Sequence, residues 1–111
     1  MEQNKGDWLP SRPMAKERDF QRGLIRKLED IFPGAIVTKV ESYIQGFPDL
    51  LVLYNDHWAM LECKRSKDEK RQPNQNYYVE KMNGMSFSRF VYPENEEEVL
   101  HDLQRAFESE R

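Results

Sequence analysis

The 111-residue chain predicts an α/β fold, a mixed sheet with helices packed on it, in the order α-β-β-β-α-β-α. Three observations carry that reading. Apolar residues recur at helical spacing in three stretches, and short β-branched or apolar runs of strand length lie between them. Pro-Gly, Asn-Asp and Asn-Gly pairs punctuate the joins. Six Phe, five Tyr and two Trp give a chain of this length enough bulk for one core.

The first helix is expected from about Met14 to Phe32, with Ser11 as cap and Pro13 in the first turn. Phe20, Leu24, Leu28 and Ile31 form its inward stripe, and Arg18, Arg22 and Arg26 fall on another face. Pro33-Gly34 ends it. Ala35 to Ile44 reads as a strand, broken by Gln45-Gly46-Phe47-Pro48, because Pro48 cannot donate into a ladder. Leu50 to Tyr54 and Trp58 to Lys64 form a hairpin about Asn55-Asp56. Pro73-Asn74 opens a second helix that runs to about Met82 and closes at Asn83-Gly84. Phe87 to Tyr92 is a last strand. Asn95 with Glu98 three residues on is a cap-like pair, opening a C-terminal helix lined by Val99, Leu100, Leu103 and Phe107. Residues 1–11 are read as an arm and 12–111 as one domain.

Several classes are excluded. No apolar run approaches the roughly 20 residues that span a bilayer, and the N-terminus lacks an apolar signal core. Cys63 is the only cysteine, so neither an internal disulfide nor a cysteine-based zinc cluster is available. A reducing cytoplasm is the expected compartment. The net charge of −3 hides an uneven distribution. Residues 1–28 hold seven basic and four acidic groups, residues 64–71 five and two, and residues 93–111 two and seven. Local basic stretches matter more than the total for binding phosphates.

The hairpin holds the informative residues. Asp49 and Glu62 are each six positions from the two turn residues, so a tight hairpin pairs them directly. Lys64 points the same way as Glu62, about 7 Å along the strand, and Cys63 points to the other face. Two carboxylates side by side repel, and each raises the other's pKa unless a cation lies between them. Mg²⁺ suits such a pair, because it takes oxygen ligands and keeps places for water and substrate phosphate. It can polarise a phosphodiester and acidify bound water, while Lys64 orients that water or meets charge developing at phosphorus. An isolated Asp/Glu/Lys set is ordinarily surface decoration; here the flanking runs read as buried strands. His57 and His101 have no companion at ligand spacing and read as surface residues. Of Tyr77 and Tyr78 one is expected in the core, and the other either stacks on or caps a nucleotide or joins the core, with core the better fit.

Gly46-Phe47-Pro48-Asp49-Leu50, Glu62-Cys63-Lys64 and the later Gln75 resemble the pattern of the PD-(D/E)XK nuclease superfamily, in particular its small stand-alone VRR-NUC members. The resemblance covers about residues 15–92 and includes the element order. It implies a restriction-endonuclease-like α-β-β-β-α-β core, with the C-terminal helix as an addition. It further implies that Asp49, Glu62 and the backbone carbonyl of Cys63 ligate Mg²⁺ or Mn²⁺, that Lys64 positions the attacking water, and that Gln75 joins the site. A first-helix glutamate is implied as well, Glu17 fitting better than Glu29. The Val-Arg-Arg element for which the subgroup is named is not evident in this chain. On this reading Lys16, Arg18, Arg22, Arg65, Lys67, Lys70 and Arg71 grip the nucleic acid. The expected activity is metal-dependent endonucleolytic cleavage of DNA, selective for branched structures such as Holliday junctions, by a homodimer in the cytoplasm of a bacterium or phage-infected host. The alternatives are nicking, end processing or restriction by the same chemistry, or a non-catalytic module that binds DNA or protein. The first helix, the edge strand or Trp8 are candidate dimer surfaces.

Overall fold

A computed structural model describes the backbone of residues 11–108 and the side chains from Glu17 to Glu108. Most of the expected arm, Trp8 and the Lys16 side chain lie outside the described residues. Helix α1 (Ser11–Ile31) is followed by β1 (Ile36–Lys39), β2 (Leu50–Tyr54) and β3 (His57–Cys63). Helix α2 (Gln75–Met85), strand β4 (Ser88–Val91) and helix α3 (Glu96–Glu108) complete the chain. The four strands form one sheet in the order β1-β2-β3-β4. β1 and β2 are antiparallel, as are β2 and β3, whereas β3 and β4 are parallel with α2 as the crossover. The fold is therefore α+β with a mixed sheet and an added C-terminal helix, in the predicted element order.

Strand alternation divides the core. Leu50, Val52, Ala59, Leu61, Cys63 and Val91 share one face and are buried under α1 (Leu24, Leu28, Phe32) and α3 (Val99, Leu100, Leu103, Phe107). The opposite face, carrying Met60, Glu62, Ser88 and Phe90, receives α2, which buries only Gln75 and Val79. At the hairpin tip Tyr54 and His57 meet Phe107, with ring centroids 6.2 and 5.1 Å away, and Phe32 closes the group at 5.0 Å from Tyr54.

Five local expectations need correction. The first helix reaches back to Ser11. The first strand stops at Lys39 instead of Ile44: after the Val40 N–H donates to the Asp49 carbonyl, Glu41, Ser42 and Tyr43 are exposed and outside the ladder. His57 belongs to β3 and is half-buried on Phe107, not a surface turn residue, whereas His101 is exposed as expected. Asn83-Gly84 does not end α2, because the Asn83 side chain accepts hydrogen bonds from the Ser88 N–H and from Arg89 while the helix continues to Met85. Asn95 does not cap its own helix: its carbonyl accepts the Tyr92 N–H at 2.8 Å and its amide donates to the Phe90 carbonyl at 3.0 Å.

Candidate active site

The β2–β3 ladder pairs Leu50 with Leu61 and Tyr54 with His57, so one further step sets Asp49 opposite Glu62, as the turn count predicts. Asn55 takes a left-handed φ of 56°, which asparagine tolerates, and this keeps the loop to two residues. Asp49 Oδ1 accepts the Cys63 N–H at 3.2 Å, locking the aspartate to the end of β3. Pro48 is buried beside it. Gly46 turns with φ 88°, and a Cβ there would lie 2.7 Å from Asn74 C, Asn74 Cβ and the Pro73 carbonyl. The segment leading to Asp49 therefore rests directly on the entry to α2.

Glu62 is 6% exposed. Its Oε2 accepts from Gln75 Nε2 at 2.8 Å, and Gln75 Oε1 in turn accepts the Gln72 N–H at 2.8 Å. Gln75 is buried in the first turn of α2, so this bond ties the helix to the strand. Glu62 Oε1 is buried with no hydrogen-bond partner among the described residues. Burial, together with the negative charge of Asp49, lifts the Glu62 carboxyl from 4.5 to about 8. Lys64, also buried, pulls the other way; its Nζ donates to the Lys70 carbonyl at 3.2 Å. Asp49 is raised too, chiefly by burial, against the hydrogen bond from Cys63.

The α1 stripe that is apolar over the sheet turns polar at its N-terminal end, where Gln21 and Glu17 sit one and two turns before Leu24. With Arg18 and Asp49 they line a cleft of about 220 Å³. Burial and the charges of Glu69 and Asp49 raise the Glu17 carboxyl. Glu29, roughly 18 Å further along the helix, is exposed away from this cluster. Cys63 aims its thiol at the opposite face and is fully buried there; burial and the nearby charge of Asp49 push the thiol strongly up and make it a poor nucleophile.

Glu69, one of the two acidic groups in the basic stretch 64–71, is not among the site residues expected from the sequence. Its charge acts on both Glu17 and Glu62, and Oε1 is held by the Arg65 N–H at 2.5 Å and Arg65 Nε at 3.4 Å. No residue pattern marks it, because the loop that folds it back has no periodicity. The basic residues are unequal. Arg22 pairs with Asp19, and Arg65 with Glu69. Lys67 and Lys70 are exposed on the loop, and Arg18 is exposed at the cleft. Arg71 sits over the Phe90 ring, its guanidinium carbon 3.7 Å from the centroid, and donates to Asn76 Oδ1 at 2.7 Å. Tyr78 is half-buried against Phe47 and Tyr77 is 55% exposed, so neither is a core residue.

Among the described residues no three His, Cys, Asp or Glu side chains stand close enough to cage a metal ion. The donor set nonetheless fits a hard divalent cation. It consists of oxygens, it carries excess negative charge, and it includes a buried carboxylate oxygen with nothing to bind. Two carboxylates leave room for the waters that Mg²⁺ retains. Compared with known proteins, the chain matches no family model, no curated protein and no solved structure.

Proposed function

We propose that the protein is a divalent-metal-dependent endonuclease that hydrolyses phosphodiester bonds in DNA. One observation carries the reading: a buried glutamate with an orphaned oxygen, Glu62, stands directly across the hairpin from Asp49, with a buried lysine, Lys64, two residues along. Such a cluster is electrostatically unfavourable unless a cation completes it. Asp49, Glu62 and the Cys63 carbonyl would hold Mg²⁺ or Mn²⁺, with the Glu17 charge behind them. Bound there, the ion supplies a Lewis acid that acidifies water and draws charge from a phosphoryl oxygen.

The remaining work falls to the chain. Gln75 holds Glu62 in one orientation and leaves Oε1 free to face a ligand. Lys64, steadied by the Lys70 carbonyl, keeps donors available for the attacking water and for the oxygens of the phosphorane-like transition state. Arg18, Arg22, Arg65, Lys67, Lys70 and Arg71 add positive charge near these groups for the nucleic-acid backbone. One such cluster cuts one strand, so paired incision of branched DNA calls for a homodimer with two sites.

The test is incubation of four-way, flap, nicked and linear DNA with the protein in Mg²⁺, in EDTA, and with Asp49→Ala. Cleavage that requires both Mg²⁺ and Asp49 is expected, strongest on branched substrates. Binding without Mg²⁺-dependent cleavage would instead identify a non-catalytic module.

A further inference from the structure

Among the cationic side chains near the site, one is already built for a ligand. Glu62 is in register with Phe90 on the neighbouring parallel strand, so the Phe90 ring lies on the same face about 4.8 Å to the side. The Arg71 guanidinium carbon stands 3.7 Å from the centroid of that ring. One Nη1 proton is spent on Asn76 Oδ1. The backbone on either side of Arg71 is clamped by the site itself. Lys64 holds the Lys70 carbonyl, and Gln75 holds the Gln72 N–H while bonding Glu62 with its other end.

Arg71 also differs in its charge balance. Arg22 and Arg65 are each matched by a carboxylate, whereas among the described residues Arg71 meets none. A stacked guanidinium held by one amide keeps further N–H donors in its plane, in the fork that suits the two oxygens of a phosphate. Ordering an arginine ordinarily works against binding through lost side-chain entropy; here most of that ordering precedes the ligand.

We infer that Arg71 is the phosphate anchor of the site, taking a non-scissile phosphodiester of the cleaved strand in bidentate fashion beside the Asp49–Glu62 pair. This rests on the endonuclease reading above. Phe90 and Asn76 are then positioning residues that aim the guanidinium, and the other basic side chains contribute only a diffuse field.

The experiment is titration of fluorescein-labelled four-way DNA in EDTA at several KCl concentrations, followed by steady-state cleavage in Mg²⁺. Arg71→Ala is expected to weaken binding roughly tenfold and to reduce the slope of log Kd against log salt by about one, with KM raised and kcat within about twofold. Arg71→Lys, which keeps the charge without the fork, should restore the salt slope but only part of the affinity. Phe90→Leu should raise KM a few-fold with the salt slope unchanged. Lys81→Ala, an exposed lysine on α2 away from this group, should behave as wild type. If the wild type binds and cuts DNA while Arg71→Ala matches Lys81→Ala in affinity, slope and KM, the anchor is refuted and the endonuclease reading stands. If the wild type neither binds nor cuts, both fall together.

Discussion

Replacing Glu62 by glutamine should make the metal-free protein more stable, and by an amount that grows with pH. Glu62 is buried, and its carboxyl is lifted from 4.5 to about 8. At about 1.4 kcal/mol per pH unit, that displacement sets a ceiling of about 5 kcal/mol on holding the charge inside. Because the folded value lies above the unfolded one, the stabilisation is complete below pH 4.5 and is lost as pH climbs through 8. Less than about 1 kcal/mol is lost by pH 5 and about 4 kcal/mol by pH 8. A glutamine presents the same shape without the charge, so Glu62→Gln should exceed wild type by about 4 kcal/mol at pH 8 and nearly match it at pH 5. Urea unfolding in EDTA at the two pH values measures both differences. Adding millimolar Mg²⁺ at pH 8 should narrow the gap, because an ion bound only to the folded wild type stabilises it by mass action. A wild-type-to-variant difference that stays constant from pH 5 to pH 8 would refute the argument that a buried, repelled carboxylate sits at this position.

Three further outcomes follow from the geometry. Lys64→Ala should lose at least about 100-fold in kcat while Mn²⁺ affinity by calorimetry is retained, and Glu62→Ala should weaken that affinity; indistinguishable metal binding by the two variants would undo the assigned roles. Gly46→Ala sets a Cβ against Asn74 and Pro73 at positive φ, so it should cost at least about 2 kcal/mol in urea unfolding and depress cleavage by displacing Asp49. Cys63 is fully buried with its thiol pushed up, so iodoacetamide should leave the native protein unlabelled and modify it only in denaturant; rapid native labelling would contradict the packing of α1 over β3.

The parts of the site that could be read from the residues are those fixed by strand geometry. A two-residue turn determines every pair below it, so the Asp49–Glu62 register follows from counting, and alternation alone sends Cys63 to the core. Gln75 and Glu17 entered through family resemblance, and the structure sets Gln75 on Glu62 and Glu17 on the cleft beside Asp49. What escaped the reading depends on contacts distant in sequence. The early end of β1 comes where its last bond to the neighbouring segment is the Val40 N–H on the Asp49 carbonyl, although Val40 and Ile44 have strand character. Asn83 and Asn95 look like helix punctuation, but each spends its side chain on β4 or the residues flanking it. His57 reads as a surface residue because its stacking partner, Phe107, lies fifty residues away.

That stacking at the hairpin tip bears on chemistry at the other end. β2 and β3 form a two-stranded ribbon roughly 17–20 Å long, with Asp49 and Glu62 at its mouth and Tyr54 and His57 at its closed end. Phe107 of α3, with Phe32, pins the closed end. A slip of one residue between the strands would turn one acid of the pair away from the other, and the ring cluster resists that slide from the far side. The last turn of the C-terminal helix thus behaves as a latch on the alignment of the two acids, and cutting the chain before residue 107 would loosen a centre it never touches.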